Sequence, residues 1–195
     1  MKEKQIEIIY DHYKETNQLR LDAQKRRNRS FMLSFVCEAI SFLFLIRSDS
    51  TMSVFQSIVK TLYGVETIIE NDIVQTFLWL LIAVFLIKYI QETIYIERQY
   101  IYQSKIEKEI DVLLGTDFMG REGQEYDKNY PKSLRIISFF YAWLCPILFF
   151  AINTYRIINE CINFRIITLL DVFIYICVEM IIILFLLDIH REIKK

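Results

Sequence analysis

The chain reads as an all-α integral membrane protein with four transmembrane helices. Three observations predict this. Hydrophobic residues make up 54% of its 195 residues, above the roughly 45–50% of an ordinary soluble domain. The excess falls in four blocks separated by charged stretches. Only four glycines and two prolines interrupt the whole chain, which favours long helices over turn-rich architectures. At roughly 150 residues per domain, one membrane domain spanning residues 1–195 is expected.

Residues 1–30 form the first element, a cytoplasmic helix without Gly or Pro. Ile6, Ile9, Tyr10 and Tyr13 recur at helical spacing. The segment ends in Lys25, Arg26, Arg27 and Arg29. Such a basic cluster before an apolar block holds the N-terminus in the cytoplasm; binding of anionic headgroups is the sharper alternative. A cleavable signal is not expected, because these residues are polar and such a signal has an early apolar core.

The first span is 31–46, FMLSFVCEAISFLFLI, sixteen residues with Glu38 near the middle. It is short for a core of about 30 Å, and Arg29 and Arg47 can extend it by snorkelling. Residues 47–72 form an outer loop. Within it Val54, Phe55, Ile58, Val59, Leu62 and Tyr63 share a helical face, which predicts a short amphipathic helix on the membrane surface, stopped by Gly64.

The second span, 73–96, has no clear end. Neither Gly nor Pro appears until Gly115, so a helix from Ile73 to Leu114 covers 42 residues, about 63 Å at 1.5 Å per residue. Its second half, within a cytoplasmic stalk and turn at 97–132, carries Tyr102, Ile106, Ile110 and Leu113 as an apolar stripe. That stripe needs a partner, and the N-terminal helix, of the same chain or of a neighbour, is the natural one. The turn holds Phe118, Met119, Arg121, Glu122, Gly123, Tyr126 and Tyr130. Arg121 and Tyr126 are partner-surface candidates together with Tyr102, Ile106 and Ile110; the plainer account is a turn built on glycines.

The third span, 133–155, contains Pro146, which should kink it. A loop at 156–165 leads to the fourth span, 166–187, which holds Asp171 and Glu179, and 188–195 is a cytoplasmic tail. The N-terminus, the stalk and turn at 97–132 and the tail hold eight, six and three Lys/Arg, and the other two loops two each: Arg47 and Lys60, then Arg156 and Arg165. This bias predicts both termini in the cytoplasm, at an inner or plasma membrane.

The acids within the spans are the best functional lead, since a charge at bilayer depth costs roughly 2.5–3.5 kcal/mol on insertion scales. Asp171 and Glu179 lie about 80° apart in azimuth and about 12 Å apart in height on one helix. With Tyr175 between them and Glu38 joining from the first span, they can line one cavity, and a symmetric homo-oligomer would turn each into a ring. The competing account has buried acids hydrogen-bonding between helices as glue. For Asp171, five residues into its block, a low-cost interfacial position is expected. Lys88 and Glu92 read as anchors at the inner boundary.

Other chemistry finds no support. GxSxG, HExxH, P-loop and dinucleotide motifs do not occur, so no enzyme and no cofactor is expected. Cys37, Cys145, Cys161 and Cys177 form no C-x-x-C pair, and His12 and His190 lie near opposite ends, so neither a metal site nor a disulfide framework is expected. With a net charge of −1, direct nucleic-acid binding is not expected either.

Three segments carry a resemblance: AQKRRNR before the first span, IERQYIYQSKIEKEIDVLLG running on from the second, and the following REGQEYDKNYP. In layout the chain resembles the small multi-helix membrane proteins of bacterial anti-phage defence loci. These include predicted four-helix and two-helix effectors associated with nucleotide-signalling systems and the four-span membrane subunit of the Kiwa system. The resemblance implies a non-enzymatic effector or sensor that opens a pore or reports membrane disturbance to a cytoplasmic partner. Two alternatives stand beside it: a proton-coupled small-molecule transporter using Glu38, and a membrane scaffold anchoring a soluble enzyme through residues 97–132.

Overall fold

A computed structural model describes residues 2–64, 70–115, 133, 136, 139–162 and 164–193. Those residues fold into five α-helices and one π-helical turn, with no strand among them. Helix α1 is Lys2–Ile46, α2 is Ser48–Tyr63 and α3 is Asn71–Leu114; the π-turn Phe140–Leu144 precedes α4, Cys145–Ile162, and α5 is Thr168–Ile193. Three helices (α1, α3 and α5) are long and apolar enough to cross a membrane. The expected N-terminal helix and first span are one element, α1, because no helix breaker separates them. The run-on second span is likewise one 44-residue helix, α3.

The chain divides into two compact units. The first holds residues 1–29 and 89–141. In it the start of α1 pairs antiparallel with the end of α3, as the apolar stripe demanded. Ile106 and Ile110 are buried in this pair and Leu113 is half-buried, while Tyr102 is 45% exposed. Burying an isoleucine contributes about 1.5–3 kcal/mol, so this seam outweighs the polar contacts beside it. Those contacts fix register: His12 Nε2 meets the Tyr102 hydroxyl at 2.9 Å, and the Tyr13 hydroxyl donates to Glu107 at 3.2 Å. Further along, Gln24 donates to the Tyr100 hydroxyl, and the Arg20 guanidinium stacks 4.5 Å from the Tyr100 ring centre. Glu92, read with Lys88 as an anchor at the inner boundary, accepts two bonds from Arg26, at 2.8 and 3.1 Å. Ala23 has no exposed surface, which lets the two backbones approach.

Pro146 is the second residue of α4, directly after the π-turn. In π register the N–H of residue 146 would bond the carbonyl of residue 141, and proline has no N–H. The buried Tyr89 hydroxyl supplies the donor instead, reaching the Tyr141 carbonyl at 2.8 Å.

The second unit holds residues 30–88 and 142–195. One stripe of each long helix is buried. On α1 it is Phe31, Ser34, Cys37, Glu38, Ser41 and Phe44; on α5 it is Asp171, Ile174, Val178, Glu179, Ile182 and Phe185. Spacings of three and four mark a single helical face. The opposite faces are as apolar as the core: Phe173, Met180, Leu184 and Leu187 of α5 are each more than half exposed. A surface of this kind suits lipid rather than water.

Helix α2 forms where an amphipathic helix was expected and ends at Gly64, whose φ of 68° caps it. Met52 and Phe55 pack against Phe44, Val74 and Leu78, whereas Val54, Ile58, Leu62 and Tyr63 stay exposed. Helix α4 differs from the expected third span. It continues to Ile162, through residues 156–162 that were expected to form a loop. Arg156, at the start of the expected loop, is buried, as is Asn153 one turn before it.

Candidate functional site

The polar interior of the second unit is organised around Arg156. This side chain is 2% exposed, and each of its three nitrogens donates a hydrogen bond. Nε bonds Glu160 one turn on at 2.8 Å. Nη1 bonds the Ser41 hydroxyl of α1 at 2.7 Å. Nη2 bonds the Gln75 carbonyl of α3 at 2.8 Å. The guanidinium lies 4.2 Å from the centre of the Trp79 ring, and the Trp79 indole N–H closes the circuit on Glu160 at 3.0–3.1 Å. The fork geometry of arginine, with five donors in one plane, allows one side chain to tie three helices.

Three further acids surround this centre. Asp171, in the first turn of α5, is buried; its Oδ2 accepts from the Thr76 hydroxyl of α3 at 3.1 Å, while Oδ1 has no hydrogen-bond partner. Expected near the membrane interface, Asp171 packs against Thr76 of α3 and feels the Arg156 charge. Glu38 of α1 and Glu179 of α5 are 3% and 5% exposed. Neither forms a hydrogen bond through either carboxyl oxygen. Glu38 feels the Arg156 charge and has the Asn153 side chain beside it, outside hydrogen-bond geometry. Glu38 and Glu179 lie close enough for their charges to interact. Tyr175, expected between Asp171 and Glu179, is held by Thr154 at 2.9 Å and meets Trp79 edge-on.

At one end of this unit a cleft of about 400 Å³ opens among α1, α3, α4 and α5, with Phe44, Asn71, Gln75, Glu160, Arg165 and Asp171 on its wall. Arg165 pairs with Asp72 there. Among the described residues no three His, Cys, Asp or Glu side chains come together to hold a metal ion.

Matches to protein-family models, curated proteins and solved structures were sought, and none was found. The site thus stands on its own geometry.

Of the residues singled out from sequence, Glu38, Asp171 and Glu179 all enter one polar interior. Tyr102, Ile106 and Ile110 belong to the first unit, where Ile106 and Ile110 are packed inward. Arg121 and Tyr126 lie outside the described residues. Sequence reasoning missed Arg156, Glu160 and Trp79. The signal was present: Arg156 and Glu160 are four apart with no Gly or Pro anywhere after Pro146, the pattern of a continuing helix carrying its own counter-charge.

Proposed function

We propose that this protein is a non-enzymatic membrane effector or sensor that passes cations or protons through a four-span bundle. The observation that carries the reading is the Glu38–Glu179 pair: two buried acids on different helices, in electrostatic contact and without hydrogen bonds. Two buried acids whose charges interact in a medium of low dielectric repel, so such a pair suits a proton or a cation. Acids in such a place mark ion and proton pathways. The exposed apolar faces of α1, α3 and α5 support membrane insertion. With Arg156 inside the bundle, the loops assigned to the outer side keep Arg47, Lys60 and Arg165 as their only cations, which supports both termini in the cytoplasm. The layout resemblance supports a role in anti-phage defence, and a homo-oligomer would repeat the acid pair around an axis.

Reconstitution into sealed liposomes tests this. The wild-type protein should dissipate a proton or potassium gradient, and the Glu38→Gln/Glu179→Gln protein should do so at least about tenfold more slowly. Equal fluxes from both would remove the basis of the reading. A second reading, a proton-coupled transporter, is favoured by the burial of Glu38 midway along the first span beside Glu179. It requires flux of a small molecule driven by a proton gradient, lost in Glu38→Gln, with no conductance in the absence of that molecule.

A further inference from the structure

We infer that Glu38 and Glu179 form a proton site: each is held as a neutral carboxylic acid, and the Asn153 amide is the hydrogen-bonding partner of Glu38. The occupant is then the proton rather than a metal cation, which rests on the acid-pair reading above and narrows it.

Unspent hydrogen-bonding capacity marks the place. Glu38, Asn153 and Glu179 belong to the second unit and come from α1, α4 and α5. All three are buried, Asn153 without any exposed surface. Both polar atoms of Asn153 and all four carboxyl oxygens are sealed from solvent, and none has a hydrogen-bond partner. The Asn153 side chain lies beside Glu38, and Glu38 is near enough to Glu179 for their charges to interact. Buried polar groups are nearly always paired, so idle atoms on three neighbouring side chains are not ordinary packing.

Charge separates the possible occupants. The charged groups facing the pair are the two acids themselves and Arg156, and Arg156 already bonds Glu160. Two ionised carboxylates would therefore lie in the interior without a counter-ion of their own, which proteins avoid by pairing or by neutralising the group. A monovalent cation would leave one of the two charges unmatched. A divalent cation would match both, but calcium takes about six to eight oxygens and magnesium keeps several waters in an octahedral shell. Glu38, Glu179 and Asn153 offer at most five oxygens, all closed to water. Among the described residues no third acid joins them in a metal-holding group. Two protons cancel both charges and add no atom that needs room.

Asn153 fits the neutral form. A protonated carboxyl both donates and accepts, a carboxylate only accepts, and an amide side chain does both. A neutral Glu38 can donate to Asn153 Oδ1 and accept from Nδ2, which uses both idle atoms of the amide. An ionised Glu38 can use Nδ2 alone and strands Oδ1. A cation at Glu38 would meet the positive edge of the same amide nitrogen.

The test is infrared difference spectroscopy on the full-length protein in nanodiscs at neutral pH. Exposed carboxyl groups are ionised there, and a protonated one shows a C=O band of its own. Wild type minus Glu38→Gln should reveal the loss of one such band, and wild type minus Glu179→Gln the loss of a second; both should shift in deuterated water. Asn153→Leu should move the Glu38 band to higher wavenumber, as loss of a hydrogen bond does, and leave the Glu179 band in place. Adding sodium, potassium or calcium chloride should leave both bands intact. Absence of either band from the wild type, or its disappearance as one of these cations is added, would overturn the proton site. A Glu38 band unmoved in Asn153→Leu would overturn the part given to the amide. Glutamine has nearly the shape of glutamate, so the two Gln variants decide the matter if Asn153→Leu fails to fold. The bands report occupancy and not flux: silent liposomes with both bands present would end the pore reading alone, and flux without the bands would end the proton site alone.

Discussion

Arg156 is placed where a cation is costly, and its surroundings show how the cost is met. The side chain bonds Glu160, Ser41 and the Gln75 carbonyl and stacks on Trp79. Removing one partner of a buried ion pair is far worse than replacing both by apolar groups. Arg156→Met should therefore destabilise the protein by about 3–5 kcal/mol, and Arg156→Met/Glu160→Met by clearly less; thermal unfolding in detergent checks both. Tyr89 is a smaller case of the same logic. Tyr89→Phe leaves the Tyr141 carbonyl without the hydroxyl that now donates to it, and a cost of about 1–3 kcal/mol is expected. At this scale the sequence was only partly legible. Glu38, Asp171 and Glu179 stand out because charges are rare in apolar runs. Arg156 does not stand out, because a cation at the end of such a run looks like a loop residue. Its burial depends on Ser41, Gln75 and Trp79, all more than 75 positions away in the chain, and no local pattern announces contacts of that range.

The helices themselves were the most legible level. Breaker-free runs set α1 and α3, and the apolar face between Val54 and Tyr63 set α2 with Gly64 as its stop. A helix of this length is marginal in water by itself, and α2 buries no residue completely. Its stability should come from Met52 and Phe55 on one side and from lipid on Val54, Ile58 and Leu62. Changing these last three to serine should speed amide exchange in α2 by about tenfold or more in nanodiscs, with α5 unchanged. Gly64→Ala should cost about 1–2 kcal/mol, the penalty of a left-handed conformation for a residue with a Cβ, because no atom lies near enough to add a steric term. The end of α4 was illegible for the reason given for Arg156: polarity at 156–162 was taken for a loop, whereas Arg156 faces the protein interior.

For the molecule as a whole, the balance of positive charge and the apolar faces of α1, α3 and α5 lead to a measurable topology. Cysteines introduced at positions 4 and 108, in a background lacking the four native ones, should react with an impermeant thiol reagent only after inside-out vesicles replace right-side-out ones, and a cysteine at position 60 should show the opposite. Labelling of positions 4 and 60 from the same side would refute the proposed arrangement. The pairing of Arg156 with Glu160 inside one helix also bears on biogenesis. While the nascent chain leaves the ribosome, α4 emerges before α5, so its guanidinium meets the translocon without Asp171 or Glu179 available. In the proposed four-span arrangement a carboxylate one turn further on travels with it, so that α4 would enter lipid as a locally neutral unit instead of waiting for a later helix to rescue it.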